Sequence, residues 1–298
     1  MSTPRLAITL GDPRGIGPEI VAAALADARV RSRAELVVIG PSGTVVPASE
    51  EIGEWRASGG AALAGRLAGL AIERATALAL AGDVQGIVTA PIDKHALFAG
   101  GYDYPGHTEM LAALTGAHVA MMLASERLRV VLVTTHIALH DVHRELTHAR
   151  IVECAGLTRR GLQQLYGIAE PRIALCALNP HMGDGGRFGD EDDTLLAPAA
   201  RAAKILGPFP ADTVFVRAMR GAFDAVLAPY HDVGMTAIKV ASFGSAVNVT
   251  LGLPFPRTSP DHGTALDIAG RNLADPASMI AAILECARFT DALVLAKK

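Results

Sequence analysis

Three histidines in this chain each follow a short apolar run. Arg129-Val-Val-Leu-Val-Thr-Thr ends in His136, Arg172-Ile-Ala-Leu-Cys-Ala-Leu-Asn-Pro ends in His181, and Ala225-Val-Leu-Ala-Pro-Tyr ends in His231. An aliphatic or β-branched run followed by a polar break predicts a buried strand and the loop at its C-terminal end. Ligands of open α/β sheets gather at that end. Three imidazoles delivered there from distant parts of the chain can converge on one metal ion. Three protein ligands with one open position are the pattern of a catalytic rather than a structural site. A single such histidine reads as a satisfied polar residue at a strand end; three in the same local context weaken that reading. Asp232 follows His231 directly and can orient its ring.

Other candidates suit anions. Lys239, Asn248 and Arg257 recur at intervals of nine, on or beside predicted strands. Two cations and an amide can bind a phosphate or carboxylate. Gly106-His107-Thr108-Glu109 follows the aromatic turn Tyr102-Asp-Tyr-Pro. With Thr108 as N-cap, His107 sits at the positive end of a helix, although a plain capping sequence explains the same residues. Gly11-Asp-Pro-Arg-Gly-Ile-Gly lacks the Lys-Ser/Thr of a P-loop, and Ile20 breaks a G-x-G-x-x-G pattern. A strand-to-helix glycine loop can hold an anion or serve as a tight turn only. His136, His140 and His143 fall at i, i+4 and i+7, and two imidazoles at i, i+4 on a helix can bind zinc. Ile137 stands where the metalloprotease glutamate belongs, so the spacing reads as one functional histidine followed by a solvated helix face.

The elements that must position these residues alternate. Leu6 to Leu10, Glu35 to Ile39, Gly86 to Thr89, residues 172–178, 224–228 and 246–251 read as strands. Ala120-Met-Met-Leu and Arg129 to Thr134 read as a hairpin across Ser125-Glu-Arg. Helices are expected at Pro18 onwards, Ala61 to Leu80 with Gly82 as stop, Thr108 to Leu114, after His136, and over 151–166, 193–205 and 276–288. Pro41 to Ser58 reads as a turn-rich connection. The fold class is α/β with a mixed, largely parallel sheet.

Half of the 298 residues are apolar, which suffices for one large domain or two ordinary ones. A net charge of −3 with no basic run excludes a nucleic-acid partner. The most apolar stretch, Ala61 to Ala81, carries Arg66, Glu73 and Arg74 and is too polar to span a membrane. Three distant cysteines, Cys154, Cys176 and Cys286, argue for a reducing, cytoplasmic compartment and against a disulfide frame.

Taken in order, nine segments resemble the 4-hydroxythreonine-4-phosphate dehydrogenase family of vitamin B6 synthesis. They are Gly11-Asp-Pro-Arg-Gly-Ile-Gly-Pro-Glu, Thr89-Ala-Pro-Ile-Asp-Lys94, Gly106-His-Thr-Glu109, Thr134-Thr-His136, Leu178-Asn-Pro-His181, Ala211-Asp-Thr-Val-Phe215, Tyr230-His-Asp232, Val247-Asn-Val-Thr-Leu-Gly-Leu-Pro254 and Arg257-Thr-Ser-Pro-Asp-His-Gly-Thr-Ala265. They span nearly the whole chain. Arg14, Met182, Asp184 and Val233 depart from the usual residues, and the stretch from Gly40 to Ala61 is shorter than is typical.

The resemblance implies an isocitrate/isopropylmalate dehydrogenase-like fold of two α/β/α units with the active-site cleft between them, residues 1–118 with 245–298 and residues 119–244. It implies His136, His181 and His231 as ligands of one divalent ion (zinc, cobalt or magnesium). His107, Thr108, Lys239, Asn248 and Arg257 would contact a small phosphorylated substrate. Asp261, His262, Gly263, Thr264 and Ala265, within the loop running to Gly270, would hold the adenine end of NAD or NADP. It further implies a homodimer with a shared site. The implied reaction oxidises 4-phosphooxy-L-threonine to a β-keto acid that loses CO2, giving 3-amino-2-oxopropyl phosphate. Lys239, Asp212, Asp232 and Asp261 are candidates for the general base. The alternatives are a threonate or erythronate 4-phosphate dehydrogenase, a cis-dihydrodiol dehydrogenase, a non-catalytic scaffold on this fold, and a metal hydrolase using His136 and His140.

Overall fold

The computed structural model describes residues 3–242 and 245–296. In chain order its strands are β1 (Arg5–Thr9), β2 (Glu35–Ser42), β3 (Glu50–Glu54), β4 (Gly86–Thr89), β5 (Ala120–Ala124), β6 (Arg129–Leu132), β7 (Ile173–Cys176), β8 (Leu206–Phe209), β9 (Ala225–Ala228), β10 (Val247–Leu251) and β11 (Arg257–Pro260). The chain divides into two units, residues 1–118 with 247–298 and residues 119–246. The crossing expected at 244–245 involves residues 243–244, which lie outside the described residues.

In the first unit the strands run in the order β3-β2-β1-β4-β11-β10. All neighbours are parallel except β10 with β11. β1 and β4 are apolar runs because helices cover parallel sheets on both faces. Helix Gly60–Ala81 buries Ala64, Leu67, Ala68, Ala71, Ile72, Ala75 and Leu78, three and four residues apart. Its Ala71, Ala75 and Leu78 pack on Ala7, Ile39 and Ile87 of the sheet.

In the second unit the order is β5-β6-β9-β7-β8. β5 and β6 form the expected antiparallel hairpin, and the remaining neighbours are parallel. The C-terminal ends of β6, β9 and β7 therefore point the same way from adjacent places in the sheet. Helix His148–Tyr166 covers this unit, capped by the Thr147 side chain accepting from the Arg150 amide.

Several expectations need correction. The turn-rich stretch 41–58 contains β3, paired in parallel with β2. β8 and helix Ala211–Met219 were not foreseen. β8 holds Gly207-Pro208, and proline is tolerated in a sheet at an edge, which is where β8 lies. The strand expected over 172–178 ends at Cys176. The 193–205 helix is a π-turn, Asp192–Leu196, followed by Ala197–Ala203. After His136 come only a 3-10 turn, Leu139–Asp141, and one helical turn, Val142–Glu145, so no helix sets His136 and His140 on one face. Helix His107–Thr115 begins after Gly106, so Thr108 lies inside the first turn and makes no cap. Lys239 stands in the last turn of helix His231–Ser242 rather than on or beside a strand, because Gly234 and Ile238 give that segment a helical face to bury. The closing helix runs over Ala277–Ala296. Among the described residues no helix is long and apolar enough to cross a membrane.

Candidate active site

The histidine edge belongs to the second unit. Thr134 Oγ1 donates to the Pro229 carbonyl at 2.8 Å, tying the exit of β6 to the exit of β9. His136 and His231 follow these exits, with ring centroids 5.8 Å apart and planes tilted by 45°. His231 Nδ1 lies 2.8 Å from Asp232 Oδ1, so the carboxylate fixes the ring and leaves Nε2 to face outward chemistry. His181 sits past the exit of β7 on the wall of a cavity of about 290 Å³. The same wall includes Asn179, Asp212, Tyr230 and Val233. Burial raises the Tyr230 phenol above its usual range, with the nearby Cys176 and Asp232 adding to the effect. Among the described residues no three His, Cys, Asp or Glu side chains stand close enough to hold an ion together. The donor set nevertheless suits a borderline divalent metal: three imidazoles at the C-terminal ends of three adjacent parallel strands, one held by a carboxylate. His140 lies 3.5 Å from Asp141, and His143 3.5 Å from Glu191, so each of these exposed rings faces a carboxylate instead.

A buried polar cluster belongs to the first unit. Arg257 on β11 is 1% exposed. Its Nη1 donates to Thr250 Oγ1 at 2.9 Å and its Nη2 to Thr89 Oγ1. Burial pulls its pKa down to about 10, opposed by the charge of Glu109. Asn248 on β10 sits opposite Ser259 on β11. His107 opens its helix, and burial, reinforced by the Arg257 charge, holds its pKa well below the ordinary value. The imidazole is therefore neutral at pH 7. Arg257 Nε, His107 Nε2 and Asn248 Oδ1 are buried polar atoms with no hydrogen-bond partner among the described residues. A buried unsatisfied polar group is costly, so this donor, this acceptor and this ring nitrogen are places where an outside group can be received.

The loop from Asp261 to Gly270 docks on the glycine loop after β1. The Ile16 amide donates to the Thr264 carbonyl at 2.9 Å, and the Gly270 amide donates to Glu19 Oε2 at 2.9 Å. A Cβ at Gly15 would stand 2.7 Å from the Thr264 oxygen, so only glycine allows this approach. His262 Nδ1 lies 3.1 Å from the Gly263 carbonyl, and its Nε2 is buried with no hydrogen-bond partner among the described residues. Ala265 has φ +42°. Asp261 takes a bond from Ser278 Oγ at 3.3 Å. Arg14 spends its charge locally, on buried Asp12 at 2.7 Å and on Asp93 at 3.6 Å.

A model of the family described as pyridoxal phosphate biosynthetic protein PdxA matches residues 21–286. The chain belongs to this family. A 4-hydroxythreonine-4-phosphate dehydrogenase of Geobacter metallireducens is 45% identical over 95% of this chain and 95% of that protein. A D-threonate 4-phosphate dehydrogenase of Salmonella typhimurium is 42% identical over 95% of this chain and 98% of that protein. The crystal structure of a 4-hydroxythreonine-4-phosphate dehydrogenase from Klebsiella pneumoniae aligns with a TM-score of 0.84 at 39% identity, covering 97% of this chain and 98% of that one. The chain is accordingly a dehydrogenase acting on a CH–OH group. The resemblance carried by the nine segments is borne out, as is the mixed, largely parallel α/β fold.

Of the residues named from sequence, His107, Asn248 and Arg257 share one unit, while His136, His181, His231, Asp212, Asp232 and Lys239 share the other. Sequence reasoning missed Thr89 and Thr250 as partners of Arg257, and missed buried Asp192. Thr89 opened a family segment, but its tie to a residue 168 positions away has no local signal.

Proposed function

We propose that this member of the family oxidises 4-phosphooxy-L-threonine with NAD or NADP, using a divalent ion, within pyridoxal 5'-phosphate biosynthesis. The observation that carries the reading is buried Arg257, whose unpartnered Nε is a charged donor suited to an anionic group, while Asn248 Oδ1 can accept only from a hydroxyl or amino group of the same substrate. His107, Thr108 in the same helical turn, and Lys239 complete the substrate contacts.

His136, His181 and His231 are the residues that would hold the ion, which supplies Lewis-acid polarisation of a substrate oxygen. Zinc, cobalt and magnesium are the candidates. The loop of Asp261, His262, Gly263, Thr264 and Ala265 would seat the adenine end of the nicotinamide cofactor, which supplies the hydride acceptor. Asp232 orients His231, and Asp261 is turned to Ser278, which leaves Asp212 on the cavity wall and Lys239 as candidate acceptors of the hydroxyl proton. The β-keto acid product then loses CO2 to give 3-amino-2-oxopropyl phosphate. Exposed Leu139 and Phe188, on the segments that carry His136 and His181, suit a homodimer contact beside the site. Three free, buried cysteines suit a reducing cytoplasm.

A second reading, D-threonate 4-phosphate as substrate, is supported by relatives of that name at similar identity. Initial rates of NADH formation with each substrate, with and without Co²⁺, decide between them. The proposal expects metal-dependent turnover favouring 4-phosphooxy-L-threonine. Equal or better turnover of D-threonate 4-phosphate would establish the second reading, and no turnover with either would sink both.

A further inference from the structure

The loop that presents His181 is held in a conformation side chains rarely adopt. His181, Met182 and Asp184 stand at φ +52°, +58° and +46°, and Gly183, Gly185 and Gly186 are left-handed as well. Such residues persist only where their surroundings over-determine them. The β7 ladder ends with the Ala177 amide donating to the Phe209 carbonyl at 2.8 Å. The next two amides are taken by one carboxylate. Asp192 is 0% exposed; its Oδ1 accepts from the Leu178 amide at 2.8 Å and its Oδ2 from the Asn179 amide at 2.9 Å. Asn179 Nδ2 adds a tether to Glu191 Oε2 at 2.7 Å. Only Pro180, whose ring fixes φ, separates anchored Asn179 from His181, so the orientation passes on with little slack.

We propose that Asp192 is the positioning residue of His181: through the Leu178 and Asn179 amides it sets the imidazole on the cavity wall beside Asp212 and Tyr230. A carboxylate suits this place because it offers two acceptors to two N–H groups. Asparagine would turn an NH2 against one of them. The inference rests on the reading of His181 as a metal ligand.

The test titrates metal-free full-length protein with Co²⁺ alone, by calorimetry, alongside thermal unfolding of each variant. Loss of an outer-shell partner typically weakens metal binding about 10–100-fold. Asp192→Asn is expected to lose affinity in that range, and His181→Ala to lose more. A merely structural Asp192 would lower the unfolding temperature and leave Co²⁺ affinity unchanged. Unchanged affinity in Asp192→Asn, with loss in His181→Ala, overturns the positioning role and leaves the ligand assignment standing. Unchanged affinity in His181→Ala overturns the ligand assignment and the positioning role with it. If Asp192→Asn does not fold, Asp192→Ser decides, because it keeps a single short acceptor where two amides need one each. A several-fold loss of affinity there supports the proposal, and none contradicts it.

Discussion

The two units build their functional groups in opposite ways. The buried polar cluster is made inside strands: Arg257 and Asn248 lie on β11 and β10, and Arg257 is held by hydroxyls from β4 and β10. The histidine edge is made past strands: His136 and His181 are exposed on turns, and His231 opens a helix. The cluster is rigid and carries the desolvation cost of a buried cation before any ligand arrives. The edge is largely exposed and depends on Asp232 and Asp192 to aim its rings. Substitutions in the two should fail differently.

A large effect is expected in the cluster. Arg257→Met should lower kcat/KM about 10–100-fold, since a charge-assisted contact contributes about 1.5–3 kcal/mol. Its unfolding temperature should change little, because relief of the buried cation's desolvation cost is offset by the Glu109 carboxylate left without it. A sharp fall in stability would show that Arg257 holds the fold rather than the ligand. Next comes the edge. His181→Gly should abolish metal-dependent turnover while relieving about 1 kcal/mol of left-handed strain, seen as an unfolding temperature roughly 2 °C higher. Asp232→Asn should weaken Co²⁺ binding about 10-fold or more with little change in stability.

A smaller effect separates the units by pH. The His107 pKa lies below the ordinary 6.5 when folded, from burial first and the Arg257 charge second. Below pH 6.5 the unfolded chain binds the proton that the folded chain refuses. Stability is thus full above about 6.5 and is lost as pH falls toward the folded value. Denaturant unfolding across this range should show a shallower acid loss in His107→Gln than in the wild type. An unchanged slope would contradict a buried neutral imidazole. The smallest effect is expected at His140 and His143. Either residue replaced by Ala should change Co²⁺ affinity less than about twofold, because exposed ion pairs contribute little.

The sequence is most legible where burial is continuous. Parallel strands covered on both faces read directly as apolar runs, so the three histidines at strand exits stand out as a group from residue order alone. β8 does not, because Gly207-Pro208 erases the strand pattern at an edge. Lys239 was misplaced because nothing local announces a helix starting at His231. Arg257 looks like an ordinary charge; that it is buried follows from the position of β11 beside β4, a long-range pairing. Asp192 is hidden among Asp190, Glu191 and Asp193, since composition does not say which of four adjacent acids turns inward.

The most direct test is a crystal structure grown with Co²⁺ and 4-phosphooxy-L-threonine, read by anomalous scattering at the cobalt edge. One cobalt peak is expected about 2.1 Å from ring nitrogens of His136, His181 and His231, with an anionic group of the substrate in hydrogen-bond reach of Arg257 and a hydroxyl or amino group facing Asn248 and His107. Cobalt bound elsewhere, or a substrate that leaves those three buried atoms unmet, would contradict this arrangement.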